Sequence, residues 1–420
     1  MVYISGEEMT REVMKMILAQ WIDPYLDTRE WQHFDLSCKN RDVTQDKVLK
    51  DAIAAGAQCG AIFKEPTITP NAEQVKEMGL SKSWGSPNGE MRKGWNGFSI
   101  DRDTISITGL ESQMGYKKPV LFCRHAVGGQ YGASSAILGP GSIKMVHTDA
   151  SGKETIIDTR KLTDKENAAV MYHNPYDNLE QLAHHFFQRA LTAGSTPYVV
   201  TKKTVFKWQE PFWQKMKSIF DQHYKNQFLE KGLLKNTNND LRHLLSDDAV
   251  MKMAAWKDGG FAMVSHNYDG DVLTDLLAQI YKSPGFISSV LTGFKPDGQK
   301  IMEFEASHGT IADQYHAFKA GKETSVNPLG MVYALRGAID HSANLALESK
   351  KIPAADAEKI KHFTTNMYSS MCEAMAEGKG TRDLSGPSGL TTEAFVAEVA
   401  KRIGAKCSAS GNAPKKSAAG

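Results

Sequence analysis

The sequence predicts an α/β fold with a substantial parallel component. Helix-like and strand-like segments alternate from the N-terminus to Cys123, as they do in sheets that are covered by helices. The chain has 420 residues, of which 41% are hydrophobic, so it is long enough to bury a large core in two or more domains. A polar turn between two β-prone runs at residues 145–158 predicts a small, separate β-hairpin, with a simple surface excursion as the alternative.

The predicted elements follow from the spacing of the apolar residues. After Gly6, the residues Met9, Val13, Met16 and Ile17 recur at helical spacing, which predicts an N-terminal helix. Short apolar runs predict buried strands, and longer amphipathic segments predict helices that pack on the core. Further helices are expected at residues 44–55, 178–193, 210–233 and 353–378, strands at 59–63, 100–109 and 119–123, a loop at 64–70 and a disordered tail at 408–420.

The composition argues against several classes of function. The formal net charge is +2 without a large basic block, so no nucleic acid partner is expected. No run of 18 apolar residues exists, which argues against a membrane span. The five cysteines are scattered without CxxC spacing, so reduced thiols in an intracellular compartment are expected. The N-terminal segment lacks the pattern of a signal or transit peptide; this favours the cytoplasm, or the mitochondrial matrix if a presequence has been removed.

Two aspartates in the segment NYDGDVLTD, Asp271 and Asp275, are candidate metal ligands. Because they are four residues apart, a helix would place both carboxylates on one face, where they repel each other. A hard divalent cation such as Mg²⁺ or Mn²⁺ removes that repulsion and prefers oxygen ligands. A solvated acidic helix face is the alternative, and the spacing does not match an EF-hand loop.

Two other segments carry groups that suit a polycarboxylate ligand. SPNGEMR places Ser86, Asn88 and Arg92 close together, and their hydroxyl, amide and guanidinium groups can bind carboxylate oxygens. A Pro-Asn-Gly turn with an incidental arginine is the alternative. RHAVGGQYG begins with Arg124 at the end of an apolar strand, where α/β sheets place ligands. The candidate general acids are Tyr131 in this segment and Lys202 in VVTKKT.

The sequence contains neither a GxGxxG motif nor a P-loop, so a nicotinamide cofactor would need another kind of loop. EASHGTIADQYH, which begins at Glu305, and TSVNPLG, which begins at Thr324, offer backbone amides and the side chain of Asn327. An ordinary polar loop is the alternative at both places.

Together the motifs resemble the homodimeric isocitrate dehydrogenases of the eukaryotic type, within the isocitrate/isopropylmalate dehydrogenase superfamily. GEEMTR, TITP, SPNGEMR, RHAVGGQY, TKKT, NYDGDVLTD, SHGT and TSVNP occur in the expected order over nearly the whole chain, and this context makes short motifs specific. The resemblance implies a large α/β domain (residues 1–95 and 282–420), a small α/β domain (96–128 and 176–281) and a β-containing clasp (129–175) that joins two subunits.

The resemblance also implies an activity and a set of site residues. Isocitrate is expected to be oxidatively decarboxylated to 2-oxoglutarate, with Mg²⁺ or Mn²⁺ and hydride transfer to a nicotinamide cofactor. A homodimer would share its active sites, with Lys202 and one aspartate reaching the site of the other subunit. The implied residues are Tyr131 and Lys202 for acid–base catalysis; Thr69, Ser86, Asn88, Arg92, Arg102 and Arg124 for isocitrate; Asp247, Asp271 and Asp275 for the metal; and Lys64, Thr67, Thr69, His308, Gly309, Thr310, Ile311, Asp313, Gln314 and Asn327 for the cofactor.

The residues that follow HGT favour NAD over NADP. NADP-dependent members of the family have an Arg-His pair that binds the 2′-phosphate, whereas this chain has Asp313 and Gln314. A carboxylate there would repel a phosphate and accept hydrogen bonds from a free ribose hydroxyl. Gln74 also replaces an arginine, and a third basic position falls within residues 255–257 in a register that depends on the gap. NADP binding through other contacts is the alternative.

Two further positions depend on where gaps are placed. Ungapped alignment puts Asp101 at the place of a third substrate arginine; a one-residue insertion would let Arg102 serve, which we expect because three carboxylates need counter-charges. The partner-subunit metal ligand in LLSDDAVMK is Asp247 or Asp248, and we favour Asp247.

Rival functions are decarboxylation of a related 2-hydroxy acid, such as isopropylmalate, tartrate or homoisocitrate, and a catalytically silent regulatory subunit. The Ser-Asn pair argues against an apolar substrate tail, and the complete catalytic set argues against a silent subunit.

Overall fold

A ten-stranded mixed sheet forms the centre of the computed structural model, which describes residues 1–409. Further strands form two separate two-stranded sheets. In chain order the strands are β1 (Val2–Ser5), β2 (Gln32–Asp35), β3 (Ala61–Lys64), β4 (Gly97–Asp101), β5 (Leu121–His125), β6 (Ser134–Leu138), β7 (Gly141–Thr148), β8 (Glu154–Leu162), β9 (Asn167–Met171), β10 (Thr196–Thr201), β11 (Arg242–Leu245), β12 (Phe261–Ser265), β13 (Ser288–Phe294) and β14 (Lys300–Ala306).

The large sheet has two parallel ends and an antiparallel middle. Its strand order is β11-β10-β12-β5-β4-β13-β14-β3-β1-β2. The strands from β11 to β5 are parallel, and so are those from β14 to β2. Between these groups, β4 and β13 are antiparallel to their neighbours. The predicted α/β fold with a substantial parallel component is therefore confirmed.

Helices pack against the sheet, with α12 on β14 and β3, α6 on β4 and β5, and α10 on β5. The helices are α1 (Glu8–Ile17), α2 (Cys38–Val43), α3 (Lys47–Cys59), α4 (Ala72–Met78), α5 (Pro87–Gly94), α6 (Leu179–Ala193), α7 (Glu210–Ile219), α8 (Lys225–Glu230), α9 (Ser246–Ala255), α10 (Asn267–Tyr281), α11 (Ala312–Lys319), α12 (Leu329–Glu348), α13 (Ala354–Ala376), α14 (Arg382–Ser385) and α15 (Thr392–Ala409).

The buried apolar side chains of the described residues form three separate cores. The largest includes Leu335 of α12, Met371 of α13 and Phe395 of α15. A second core gathers around Phe187 of α6 and Phe212 of α7. Burial of such side chains contributes roughly 1.5–3 kcal/mol each. The largest core contains residues of both predicted domains, such as Phe122 and Leu335, so the domain boundaries stay predictions.

The predicted hairpin at residues 145–158 is confirmed, and its strands are longer than expected. β7 pairs with β8 in antiparallel register, and β6 pairs with β9 to form a second ribbon. Several large apolar side chains of these two ribbons are exposed, which is uncommon for a surface without a partner. Among them are Ile137, Ile156, Ile157, Val170 and Met171.

Three expectations about elements were wrong in detail. The apolar run at residues 100–109 forms a strand only up to Asp101; Ile105 and Ile107 are buried by packing in the large core and not by sheet pairing. The helix expected at 210–233 is interrupted by a π-helical turn at Phe220–Tyr224. The tail expected from residue 408 begins within α15, and residues 410–420 lie outside the described part of the chain. Within residues 1–409, no helix has the length and apolar character needed to cross a membrane.

Candidate functional site

The candidate site lies where β5 and β12 end at the same edge of the sheet. Arg124 is in β5, and α10 begins at Asn267 directly after β12. The side chain of Asn267 fixes this corner: its Oδ1 accepts a hydrogen bond from Arg124 Nε at 2.9 Å, and its Nδ2 donates to the carbonyl oxygen of Gly128 at 3.1 Å. The start of α10 therefore directs Asp271 toward Arg124, with which it forms an ion pair.

Three arginines from different elements converge on this corner. Arg92 lies in α5, Arg102 follows β4 and Arg124 lies in β5, and each is at most 9% exposed. Arg102 approaches both aspartates of α10, at 3.9 Å from Asp271 and 3.9 Å from Asp275. Three buried positive charges thus face two carboxylates, of which Asp271 is half-buried and Asp275 is exposed.

Tyr131 closes the same corner. Its hydroxyl donates a hydrogen bond to Asp271. The guanidinium carbon atoms of Arg92 and Arg124 lie 5.7 Å and 5.1 Å from the centre of its ring, a distance at which cations are attracted to aromatic faces. Burial and the bond to Asp271 raise the pKa of Tyr131, while Arg124 opposes that effect. The hydroxyl therefore keeps its proton in this arrangement.

Several buried polar atoms at the corner lack partners. Arg102 Nε, Arg124 Nη2 and Asn88 Oδ1 are buried without a hydrogen bond. Burial and the neighbouring Arg92 and Arg102 lower the pKa of Arg124 to about 9. Buried donors without acceptors are costly, and an anionic ligand with several carboxylates would satisfy them. The corner therefore fits a polycarboxylate.

The two aspartates of α10 fit part of a divalent metal site. Burial would raise the pKa of Asp271, but Arg124 and Tyr131 bring it below its ordinary value. Burial raises the pKa of Asp275, and the nearby charge of Asp271 adds to this effect. Within residues 1–409, no third histidine, cysteine or carboxylate joins this pair to complete a cluster of metal-binding groups. A cation bound here would need another protein ligand, substrate or water.

The structure decides between Asp101 and Arg102 as the residue that faces the site. β4 pairs with β13 through Ser99 opposite Thr292 and Gly97 opposite Gly293, so Phe98 is an extra residue in a β-bulge. Arg102 consequently points toward α10, whereas Asp101 points to the opposite face of the sheet, against His185 of α6.

Lys202 and Asp247 form a second group, at the ends of β10 and β11. Lys202 follows β10 and Asp247 lies at the start of α9 after β11; Lys202 Nζ is 2.5 Å from Asp247 Oδ1. Asp248 instead pairs with Lys252, one turn along α9, at 3.4 Å. Within the described residues, neither Lys202 nor Asp247 forms a hydrogen bond or ion pair with the arginine–aspartate corner. Asp247 is thus the aspartate beside the predicted catalytic lysine.

The predicted cofactor residues cluster around the loop between β14 and α11. His308 Nε2 is buried without a partner. Ile311 adopts a left-handed conformation (φ 60°), which is strained for a β-branched residue and marks a functional loop. Asp313 is exposed in the first turn of α11, whereas Gln314 Oε1 accepts the Ser325 backbone N–H at 3.2 Å. Gly309 and Thr310 complete this loop.

One neighbour of this loop gave no signal in the sequence. The side-chain amide of Asn327 donates to Asp383 at 2.9 Å, although the two residues are 56 positions apart. Asp383 lies in α14, which the sequence did not predict. Asn267, by contrast, is the first residue of NYDGDVLTD, so its motif could have identified it.

The remaining predicted residues lie at the end of β3, in the loop that follows it and at the start of α5. Lys64 is buried and paired with Glu305, while Thr67 is half-buried and Thr69 exposed in the loop after β3. Ser86 is exposed directly before α5. The Pro-Asn-Gly turn that was the alternative interpretation of SPNGEMR is instead the start of helix α5.

Two residues from the cofactor comparison have structural roles. The side chain of Gln74 is engaged in a capping box with Asn71 at the start of α4, so it does not extend toward the cofactor loop. Trp256 packs between the rings of Tyr198 and Phe261, and Lys257 lies 5.9 Å from the ring of Tyr116. The case for NAD therefore depends mainly on Asp313.

Nearly the whole chain is similar to proteins of one family. Residues 2–399 match the family model described as isocitrate/isopropylmalate dehydrogenase. The chain is 56% identical over 409 residues to the mitochondrial isocitrate dehydrogenase [NAD(+)] 1 of Phaeodactylum tricornutum, a match that covers 96% of this chain and 74% of that protein. It is also 56% identical over 409 residues to the mitochondrial isocitrate dehydrogenase (NAD(+)) of Ostreococcus tauri, with 96% and 85% covered.

A solved structure is similar as well. The crystal structure of isocitrate dehydrogenase from Ostreococcus tauri in complex with isocitrate and magnesium(II) superimposes with a TM-score of 0.90 and 56% identity, over 96% of this chain and 98% of that one. This similarity confirms the fold that the resemblance implied. By sequence and by structure, the chain belongs to the isocitrate/isopropylmalate dehydrogenase family.

Proposed function

We propose that this chain is an isocitrate dehydrogenase that oxidatively decarboxylates isocitrate to 2-oxoglutarate and CO₂ with NAD and Mg²⁺ or Mn²⁺. The observation that carries the proposal is the buried corner in which Arg92, Arg102 and Arg124 face Asp271 and Asp275. Two relatives that are 56% identical are named NAD(+) isocitrate dehydrogenases. The solved relative contains isocitrate and magnesium.

The three arginines and the SPNGEMR segment hold the substrate. The unpartnered N–H groups of Arg102 and Arg124 donate to carboxylate oxygens, and Arg92 adds a third positive charge. Ser86 and Asn88 lie at the start of α5 and bind the carboxylate that distinguishes isocitrate from substrates with an apolar tail. Thr69, in the loop after β3, lines the boundary between substrate and nicotinamide.

Tyr131 and Lys202 move protons, while the aspartates hold the metal. A metal bound by Asp271, Asp275 and an aspartate of the other subunit supplies charge stabilisation as CO₂ leaves. The hydroxyl of Tyr131, which donates to Asp271 in this structure, delivers a proton to the product carbon. Lys202 of the other subunit replenishes that proton, and Asp247 beside it is the third aspartate.

NAD is the hydride acceptor because of the charge at the start of α11. Asp313 is exposed beside the predicted adenosine side of the pocket, where it would repel a 2′-phosphate and accept a hydrogen bond from a ribose hydroxyl. Lys64 and Thr67 lie near the nicotinamide, and the adenosine side is formed by His308, Gly309, Thr310, Ile311, Gln314 and Asn327.

A homodimer completes the site. Within residues 1–409, Lys202 and Asp247 pair with each other and form no hydrogen bond or ion pair with Asp271. The two β-ribbons expose apolar side chains that a second copy would cover. The names of both 56% identical relatives include "mitochondrial", and on that basis we place the enzyme in the mitochondrial matrix.

An initial-rate assay of the purified chain tests the proposal. With isocitrate, NAD and Mg²⁺ or Mn²⁺, we expect reduction of NAD coupled to release of CO₂. Chelation of the metal should abolish the rate, and isopropylmalate should give at least ~100-fold lower kcat/KM. Equal or faster turnover of isopropylmalate, or no turnover of isocitrate by the isolated chain, would contradict the proposal.

A further inference from the structure

A cluster of charged residues lies on the face of the sheet opposite the candidate site. It involves the two residues next to Arg102 in the sequence, Asp101 and Asp103. Asp101 and Asp103 extend from β4 toward α6, whereas Arg102 points to α10, as the alternation of side chains along an extended segment requires. The Arg102 N–H donates to the Phe122 carbonyl at 2.8 Å, so the pairing with β5 continues through this residue. Asp101 and Asp103, which we call the two anchors, therefore flank Arg102, the predicted substrate-binding arginine.

Arg189 of α6 connects the two anchors. Its guanidinium group forms an ion pair with Asp103 and lies 3.5 Å from Asp101 Oδ2, and its Nη1 donates to Cys123 Sγ at 3.2 Å. Each carboxylate therefore interacts with the same planar, permanently charged group, which suits bidentate contacts.

Other groups fix the same two carboxylates. His185 Nε2 lies 2.7 Å from Asp101 Oδ2, and Ser99 Oγ donates to Asp101 Oδ1 at 2.7 Å. The Phe122 N–H donates to Asp103 Oδ1 at 3.2 Å. Without Arg189, two nearly buried carboxylates would repel each other across Arg102.

This cluster is an ion-pair network and not a metal centre. Asp101, Cys123 and His185 have ligand atoms within 4.8 Å of one another, the spacing that a metal ion needs. Arg189, however, is hydrogen-bonded to the sulfur and ion-paired with the carboxylate of that group. A positive group, the guanidinium of Arg189, already stands where the cation would bind.

Arg102 itself has few contacts that fix its side chain. Both of its ion pairs in the site are 3.9 Å long, and its buried Nε has no partner. Its direction must therefore come mainly from the backbone on either side. Asp101 and Asp103 are the flanking residues, and Arg189 links both to α6.

We propose that Arg189 is a positioning residue for isocitrate binding: by holding Asp101 and Asp103 on α6, it keeps Arg102 directed into the site. This inference rests on the proposed role of Arg102 in binding isocitrate. Arg189 touches neither substrate nor cofactor, since it lies on the opposite face of β4 and β5. Its effect is on the substrate KM.

Steady-state kinetics of Arg189→Met and Arg189→Lys test the proposal. The methionine variant should raise the isocitrate KM about tenfold or more, with the NAD KM within about twofold of the wild type. Lysine keeps the positive charge but lacks the planar guanidinium that contacts both carboxylates, so it should give an intermediate isocitrate KM. The lysine variant also tests the proposal if the methionine variant fails to fold. Arg189 and Arg336 of α12 line one cleft, but Arg336 pairs with Asp340 and not with Asp101 or Asp103. Arg336→Met is therefore the matched control, and its isocitrate KM should match the wild type.

A double variant separates positioning from general destabilisation. If Arg189 acts through Arg102, adding Arg189→Met (or Arg189→Lys) to Arg102→Gln should raise the isocitrate KM no further. An equal additional rise in that background, or an unchanged isocitrate KM in the single Arg189 variants, would overturn the inference. An unchanged isocitrate KM in Arg102→Gln alone would overturn the assigned role of Arg102, and the positioning role with it.

Discussion

At the scale of single residues, we propose that Asp313 selects NAD over NADP. It is exposed in the first turn of α11, next to the strained residue Ile311. We predict a kcat/KM for NAD at least ~100-fold above that for NADP, equivalent to about 2.7 kcal/mol. Parallel initial-rate measurements with the two cofactors check this ratio, and equal use of NADP would contradict it.

The same position can be tested by reversing its charge. Asp313→Arg combined with Gln314→His should raise kcat/KM for NADP by at least ~10-fold, because an arginine can bind a 2′-phosphate in a bidentate manner. Asp356→Arg, in the first turn of α13, is a control with the same change of charge at a distant helix start. An NADP gain of equal size in that control would show that only net charge matters.

Arg102 carries the second prediction at this scale. Arg102→Gln should raise the isocitrate KM by at least ~10-fold while the NAD KM changes little, since a neutral amide cannot replace the guanidinium charge beside three carboxylates. Substrate-saturation curves at fixed NAD measure the effect. An isocitrate KM equal to that of the wild type would remove Arg102 from the substrate site.

At the scale of elements, α10 must approach β5 closely to bring Asp271 to Arg124. Gly270 makes this possible, because a Cβ atom there would lie 2.8 Å from Arg124 Cγ and 2.9 Å from Ser265 Oγ. Gly270→Ala should displace Arg124 and raise the isocitrate KM, although alanine is favoured over glycine in helices by up to ~1 kcal/mol.

Gly404 provides the matched control for this substitution. It also lies in a helix, α15, and a Cβ atom there would meet only Tyr25 Oη at 3.5 Å, an ordinary contact. Gly404→Ala should raise the melting temperature and leave the isocitrate KM unchanged. If Gly270→Ala behaved in the same way, the close approach of α10 would have no role in binding.

The sequence predicted those elements whose pattern is local. The amphipathic periodicity of α1, α3, α6 and α13 placed these helices within a few residues of their observed bounds. The bulge at Phe98, the π-helical turn Phe220–Tyr224 and the non-strand burial of Ile105 depend on partners that are distant in sequence, so no local pattern revealed them.

The same distinction applies to the candidate site. The collinear motifs predicted Arg92, Arg124, the two aspartates of α10 and Tyr131, since each stands in a recognisable segment. Arg102 lies outside these motifs and was predicted only through an assumed insertion. Asp383 beside Asn327 and Arg189 behind Arg102 were missed, because their contacts join segments 56 and 86 positions apart. Only the folded chain brings such groups together.

At the scale of the whole molecule, the predicted active-site residues of one chain fall into two halves, and within residues 1–409 no hydrogen bond or ion pair joins Lys202 or Asp247 to the arginine–aspartate corner. The first half, with the arginines, Tyr131 and Asp271, lies at the ends of β5 and β12. The second, Lys202 with Asp247, lies at the ends of β10 and β11. A twofold-symmetric dimer that joins the first half of one copy to the second half of the other would create two complete sites.

Complementation between inactive variants tests this arrangement. Asp271→Asn removes a residue of the first half and Lys202→Met one of the second, and each homodimer should lose nearly all activity. A heterodimer of the two, purified through different tags on the two chains, should recover about half of the wild-type rate, because one of its two sites contains both intact halves.

The matched control is a heterodimer of Lys202→Met with Asp247→Asn. These residues belong to the same half, so every site in that heterodimer is damaged and no activity should return. Recovery in neither heterodimer would mean that each chain builds its site alone, and the contact between Lys202 and Asp247 would then have only a structural role.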